Sequence, residues 1–385
     1  MSLNIFFDPV KESLMQGKFE PTSLIHYIKI NKDTFPEWTT VNIALIGLTE
    51  ERGTLTNKGT EKAADALRKK LYSLKKGTGN PKIADLGNLR NGETLEDTCL
   101  RIKEVCETLI QNNVTPILVG GSHDLDLGQF LAYECYRKPI TFLTVDAEID
   151  MLERDDFGIN KSHIHKILVH KPNIIFHYSH LAYQTYFTDQ ETLSVFEKLF
   201  FEAYRVGQLH ENIEEAEPVV RNADLMSFDM GAIKQTDAPG NTDAHPFGLT
   251  GEEACQLCWY AGLNPKMSSV GFYEFNPEED NKEQTAGVLA TMIWYFIEGY
   301  SMRKNDFNHA DPQYVKYTVS MQEDPHKLIF YKNSQTEEWW MEVPYSSDKP
   351  KYAQHSIVPC SYNDYKAASN GEIPNRWILT HAKLI

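Results

Sequence analysis

The stretch ITFLTVDAEID, residues 140–150, decides how this chain is read, because a strand pattern there runs straight into carboxylates. In Asp146-Ala147-Glu148-Ile149-Asp150 the acids fall at every second position, and an extended backbone would aim all three towards one side. A buried face cannot hold three like charges unpaired. Each ionised carboxylate withdrawn from water costs several kcal/mol unless something positive compensates it, and a divalent cation does so directly. The plainer alternative is a run that leaves the strand into a solvated loop, with Glu148 and Asp150 facing water.

On either side of this stretch, short apolar runs alternate with longer amphipathic ones from Val41 onward, the pattern of strands separated by crossover helices. VNIALIG reads as the first strand, 60–74 and 94–111 as helices, and PILVGG at 116–121 as a buried strand ending in glycines. KILVH and NIIFH read as short strands and 192–208 as a long helical stretch. ADLMSFD at 223–229 and SSVGFYEF at 268–275 again end strands in acids, Asp229 and Glu274. Thr250 and Glu253 form a capping-box signature that opens a helix, and 281–300 reads as the last core helix.

The expected fold is therefore α/β with a mostly parallel sheet over 41–300, preceded by an N-terminal extension, 1–40. Beyond Ser301 the texture changes. KLIFYKN and EWWMEVP read as a hairpin within a β-containing C-terminal extension, 301–385, packed on the main domain. Trp339 and Trp340 in that hairpin fit the covering of an apolar patch better than a ligand platform.

Composition narrows the function. With 54 acidic against 38 basic residues the net charge is −16, which argues against nucleic acid or an anionic membrane as partner. No run approaches the ~20 apolar residues of a membrane span, and the N-terminus lacks a leader pattern. The six cysteines are scattered without a disulfide framework, as suits a reduced, cytoplasmic setting. Cys255 and Cys258 form a CxxC within a helical pattern, where core packing outweighs zinc or redox use.

In an open parallel sheet, ligands bind beyond the carboxyl ends of the strands. Gly120-Gly121-Ser122-His123 puts an imidazole at one such end, and Ser227-Phe228-Asp229 adds an acid at another. Alone, His123 would read as structural. Together with His123, the acids Asp146, Asp150 and Asp229 make a borderline-hard ligand set suited to manganese, with magnesium, iron and zinc less favoured.

These segments resemble the arginase, agmatinase and formiminoglutamase group, the ureohydrolases, over most of 41–300. GGSHD stands where that family has GGDHS, DAEID where it has DAHxD, SFDMG where it has SFDxD, and YEFNP resembles the family's ExNP segment. The resemblance implies a three-layer α/β/α fold whose strand ends hold two manganese ions bridged by hydroxide. His123, Asp146, Asp150 and Asp229 match the ligands of one ion. At the second, Glu148 replaces a histidine and Gly231 an acid.

Two readings follow from that departure. In one, Glu148, waters and the shared aspartates hold a weaker second ion. In the other, one ion binds or none, and the fold has become a catalytically silent binding or scaffold protein. The expected activity is hydrolysis of a C–N bond in a small guanidino or formimino amino-acid derivative, formiminoglutamase-like, with Asp150, His163 and Glu274 as catalytic residues. His163 would shuttle protons, with His165 an alternative occupant, and Glu274 would pair with a cationic amidine group. His177 and His180 fit zinc poorly, and His245 fits an exposed loop better than the cleft. A small-molecule substrate is expected, and a homo-oligomer is left open.

Overall fold

The computed structural model describes all residues except 1, 137, 154, 305–306, 309–310, 322–326 and 347–349, and leaves aside the side chains of 155, 350 and 351. Ten strands form one sheet: β1 (Phe7–Asp8), β2 (Ile28–Ile30), β3 (Ile43–Leu48), β4 (Ile83–Leu89), β5 (Thr115–Val119), β6 (Ile140–Val145), β7 (Ile175–Tyr183), β8 (Glu202–Arg205), β9 (Leu225–Asp229) and β10 (Ser269–Tyr273). Their order is β1-β4-β3-β5-β10-β9-β6-β7-β8, with β2 also on β4. Among these pairings only β1 on β4 is antiparallel.

Every residue of β3, β5, β6, β9 and β10 is buried, so these strands need cover on both faces. One face carries a core with side chains from the helices Ala63–Leu71, Gly251–Leu263 and Gln284–Ser301. The other carries Leu95–Gln111, Asp126–Leu131, His163–Val169 and Gln190–Lys198. The result is three layers, α/β/α. Thr94 and Thr250 cap their helices with reciprocal capping boxes.

Sequence order matters at the centre. After β5 the chain jumps to β6 and builds β7 and β8 outward, then returns to lay β9 and β10 into the gap. The four middle strands β5, β10, β9 and β6 thus come from distant parts of the chain. Their registers, Phe272 opposite Val119, Tyr273 opposite Asp229 and Val145 opposite Phe228, bring their carboxyl ends level.

A separate antiparallel sheet, β11 (Tyr314–Ser320), β12 (Lys327–Asn333), β13 (Trp339–Glu342) and β14 (Ile357–Cys360), follows the last core helix. Trp339 and Trp340 are both buried, Trp339 stacked on Tyr365 and Trp340 under the Arg221 guanidinium. A cavity of about 1090 Å³ opens near the amino ends of the central strands, lined by residues of both sheets.

Three expectations are corrected. All of KILVH but its last residue, His170, is helical, within His163–Val169, because His163, Ile164 and Ile167 are buried at helical spacing. The stretch 192–208 is not one helix: it ends at Lys198, Phe200 turns with φ +56°, and β8 intervenes where Phe201 packs on Tyr178 and Phe196. The acids of 146–150 do not alternate along a strand, since β6 stops at Val145 and Asp146 accepts the Glu148 amide at 3.1 Å in a tight turn.

Candidate metal centre

Four strand ends supply the site. Gly120 and Gly121 take φ of +100° and +75°, a path that a side chain would resist, and this swings His123 back over the sheet. Asp146 follows β6, Asp229 closes β9, and Glu274 follows β10 with φ +61°. His123 is fully buried, and Asp146, Asp150, Asp229 and Glu274 nearly so.

A hydrogen-bond chain fixes the imidazole. The Ser227 hydroxyl donates to Asp126 Oδ2 at 2.9 Å, so its oxygen is left to accept from His123 Nε2 at 2.8 Å. The neutral ring then carries its proton on Nε2 and a lone pair on Nδ1. That lone pair faces Asp229 Oδ2 at 3.1 Å, Asp146 Oδ2 at 3.2 Å and Asp150 Oδ2 at 3.9 Å. Nδ1 has no hydrogen-bond partner among the described residues, a buried nitrogen set among carboxylate oxygens. Donor atoms of His123, Asp146 and Asp229 lie within 4.8 Å of one another, with Asp150 at the margin, a set that fits a cation, and one imidazole with carboxylates suits manganese.

The charges around it carry the same sign. Burial, then repulsion from Asp229 and Asp150, pushes the Asp146 carboxyl up to about 8. Burial opposes ionisation of Asp150 too, but Lys161 and His163 hold it below the ordinary carboxylate range. Burial would lower the His123 imidazole, yet a proton added at Nδ1 would be hydrogen-bonded by Asp146 and Asp229, and this raises it well above its usual value. It thereby competes for the place a cation would take.

Glu274 accepts from the His123 amide at 2.9 Å, from Asn160 at 3.0 Å and from Asn57 at 2.8 Å. Burial and the charge of Asp229 nonetheless push it up to about 7. It lines a narrow cleft with Asp146, Glu148, Lys161, Asp229 and Asn241.

His163 lies beneath this cleft. It is 1% exposed, with Nδ1 2.8 Å from Asp126 Oδ1 and Nε2 3.3 Å from Asp150 Oδ2. Burial lowers its affinity for a proton, but the Asp126 charge prevails and brings it up to about 9. His163, Asp150 and His123 form a second group whose ligand atoms gather within 4.8 Å.

Glu148 lines the same cleft and pairs with Lys161, Oε2 to Nζ being 3.0 Å. Gly231 offers only its amide, which donates to Asp229 Oδ1 at 2.6 Å. His245 lines the cleft, 3.9 Å from Glu148, rather than standing free on its loop. His177 pairs with Glu202, while His180 faces the Asp146 carbonyl at 3.1 Å. Cys255 and Cys258 are buried in the core.

Sequence reading missed Lys161, Asp126 and Ser227. Ser227 had a signal, two positions before Asp229 and so on the same strand face. Asp126 had a weaker one, a single turn after His123.

A model of the arginase family matches residues 41–298. Formimidoylglutamase from Streptococcus gordonii is 22% identical over 318 residues, covering 75% of this chain and 93% of its own. That of Geobacillus thermodenitrificans is 25% identical over 266 residues, 64% of this chain and 81% of its own. Among solved structures, formiminoglutamase of Trypanosoma cruzi with Mn2+2 superposes with a TM-score of 0.62 at 18% identity, over 70% of this chain and 100% of that one. Formimidoylglutamase of Bacillus subtilis gives 0.65 at 18%, over 75% and 95%. The family model, spanning β3 to β10 and every residue of the cluster around His123, places this chain in the arginase family.

Proposed function

We propose that the chain is a manganese-dependent hydrolase that cleaves a C–N bond in a small linear amidine, formiminoglutamate being the favoured substrate. The observation that carries this is the His123 Nδ1 lone pair facing Asp146 and Asp229 at 3.2 and 3.1 Å. His123, Asp146, Asp150 and Asp229 would hold the ion. A bound divalent cation supplies Lewis acidity and lowers the pKa of water at the reacting carbon.

The remaining work falls to the chain. Glu274 presents a carboxylate on the cleft wall, held there by Asn160 and Asn57, and accepts an N–H of the amidinium. That contact orients the carbon towards the ligand cluster. His163 acts as a positioning residue, its imidazolium holding Asp150 from one side and Asp126 from the other. Ser227 keeps the His123 tautomer that leaves Nδ1 free to bind.

Water adds across the bond, so formiminoglutamate yields glutamate and formamide, while arginine or agmatine would yield urea and the free amine. The test is product release from all three after manganese loading. Formamide formed in preference to urea is expected. Bound manganese without turnover of any of them would overturn the hydrolase reading.

A further inference from the structure

We infer that the Lys161 ammonium is a built-in second cation, so that this centre takes one divalent ion where its architecture has room for two positive charges. The inference rests on the metal-site reading above and concerns the side of the cluster facing Glu148.

On that side three carboxylate oxygens that could receive another ion already accept a hydrogen bond, while Glu148 Oε1 stands 3.9 Å from His245 Nε2. Asp146 Oδ1 accepts the Glu148 amide at 3.1 Å, and Asp229 Oδ1 accepts the Gly231 amide at 2.6 Å. Glu148 Oε2 accepts Lys161 Nζ at 3.0 Å, and the same nitrogen stands 3.7 Å from Asp150 Oδ1. Gly231 has no side chain to offer. A Cβ built there would sit 2.9 Å from Asp229 Oδ1 and 3.2 Å from Asn241 Nδ2, so an added carboxylate would have to displace its neighbours.

Lys161 is not a passing surface charge. Its short turn, Ile159–Lys161, is pinned to the Gly53 carbonyl by the amides of Ile159 and Asn160 at 2.8 and 3.2 Å. The Lys161 carbonyl accepts from Leu152 at 3.1 Å, and Asn160 reaches Glu274 at 3.0 Å. The ammonium is therefore held in the cleft wall by a backbone tied to three other segments. A divalent ion brought to Glu148 and Asp150 would meet a positive charge already in contact with both. A lysine suits the place because its ammonium is a compact point charge with three donors.

The test is manganese stoichiometry by mass spectrometry of the metal, with electron paramagnetic resonance of the bound Mn2+, on full-length wild type, Lys161→Gln and Lys161→Arg. Expected are one ion with the spectrum of an isolated centre in wild type and Lys161→Arg, and uptake of a second, exchange-coupled ion in Lys161→Gln.

A coupled pair in wild type overturns the role of Lys161 while leaving the hydrolase proposal standing. One ion in Lys161→Gln overturns it as well. No bound manganese in wild type overturns the metal site itself. Should Lys161→Gln fail to fold, wild type and Lys161→Arg still decide, because a coupled pair in either contradicts the assignment.

Discussion

Asp85 on β4 and Asp146 after β6 are buried carboxylates of the same sheet, and their neighbours differ. Asp85 accepts from Arg68 through both oxygens at 2.8 and 2.9 Å, from Tyr72 at 2.8 Å and from the Gly87 amide at 3.0 Å. Arg68 and Asp85 are both wholly buried, and each finds its partner within the chain. Asp146 instead shares its surroundings with Asp150 and Asp229, and the nitrogen between them is an imidazole with no proton to give in its neutral form. A charge needed for structure is closed by the protein itself. The charge left open, in an otherwise well-packed fold, is the place to which the proposed metal site is assigned.

The widest expected contrast comes from removing one partner of the closed pair. Arg68→Met should cost about 3–5 kcal/mol of stability by stranding Asp85, read in denaturant melts, with or without manganese. A loss below about 1 kcal/mol would mean that the pair is not what closes this part of the core. Asp229→Ala should leave the apo fold intact and weaken manganese binding by more than about 100-fold in calorimetric titration, since a ligand is lost rather than a residue that supports one. Unchanged affinity would remove Asp229 from the site.

Ser227→Ala probes the tautomer. With no hydroxyl to receive the Nε2 proton, manganese affinity should fall about 10–100-fold, and Ser227→Thr should recover part of it. Equal affinity in Ser227→Ala would detach the hydrogen-bond chain from metal binding.

The smallest effect is in pH. After chelation, the folded chain between the ordinary carboxylate range and about 8 holds a proton at Asp146 that the unfolded chain has released. His163, raised to about 9, likewise keeps a proton in the folded state that the unfolded chain has lost. Both groups pull stability down as pH rises from 6 to 8, against the buried His177, His180 and His355, whose lowered values pull it up over the same range. Asp146→Asn should remove its part of the downward pull, and added manganese should oppose it. An Asp146→Asn chain with the same pH slope as wild type after chelation would contradict the open-charge picture.

Much of this was legible in the residues. Fully apolar runs that stop at Asp229, or at Gly120-Gly121 before His123, announce strand ends because a buried strand has no other reason to finish on a polar group. The approach of those ends depends on β9 and β10 being laid between β5 and β6, an order that local pattern does not carry; the family resemblance implied only that strand ends meet at the ions. Lys161 was silent. It lies on a one-turn helix outside any periodic segment, and its meaning comes from Glu148, thirteen positions earlier, being turned towards it. The helix His163–Val169 was misread because β-branched residues favour strands, and only packing of Ile164 and Ile167 on the sheet overrides that preference.

The position of β10 also sets a timetable. This strand is the last of the main sheet to be made, yet it lies between β5 and β9 and brings Glu274 with it. While the chain is being synthesised, His123 on one flank and Asp146, Asp150 and Asp229 on the other have no strand to join them until residue 273 has emerged. A chain cut short before that point could pair β9 on β6 and gather the three aspartates, but would have no strand to bring His123 to them. On the proposed metal site, capture of the ion would thus be a late event, a seal on a finished sheet rather than a nucleus for its folding.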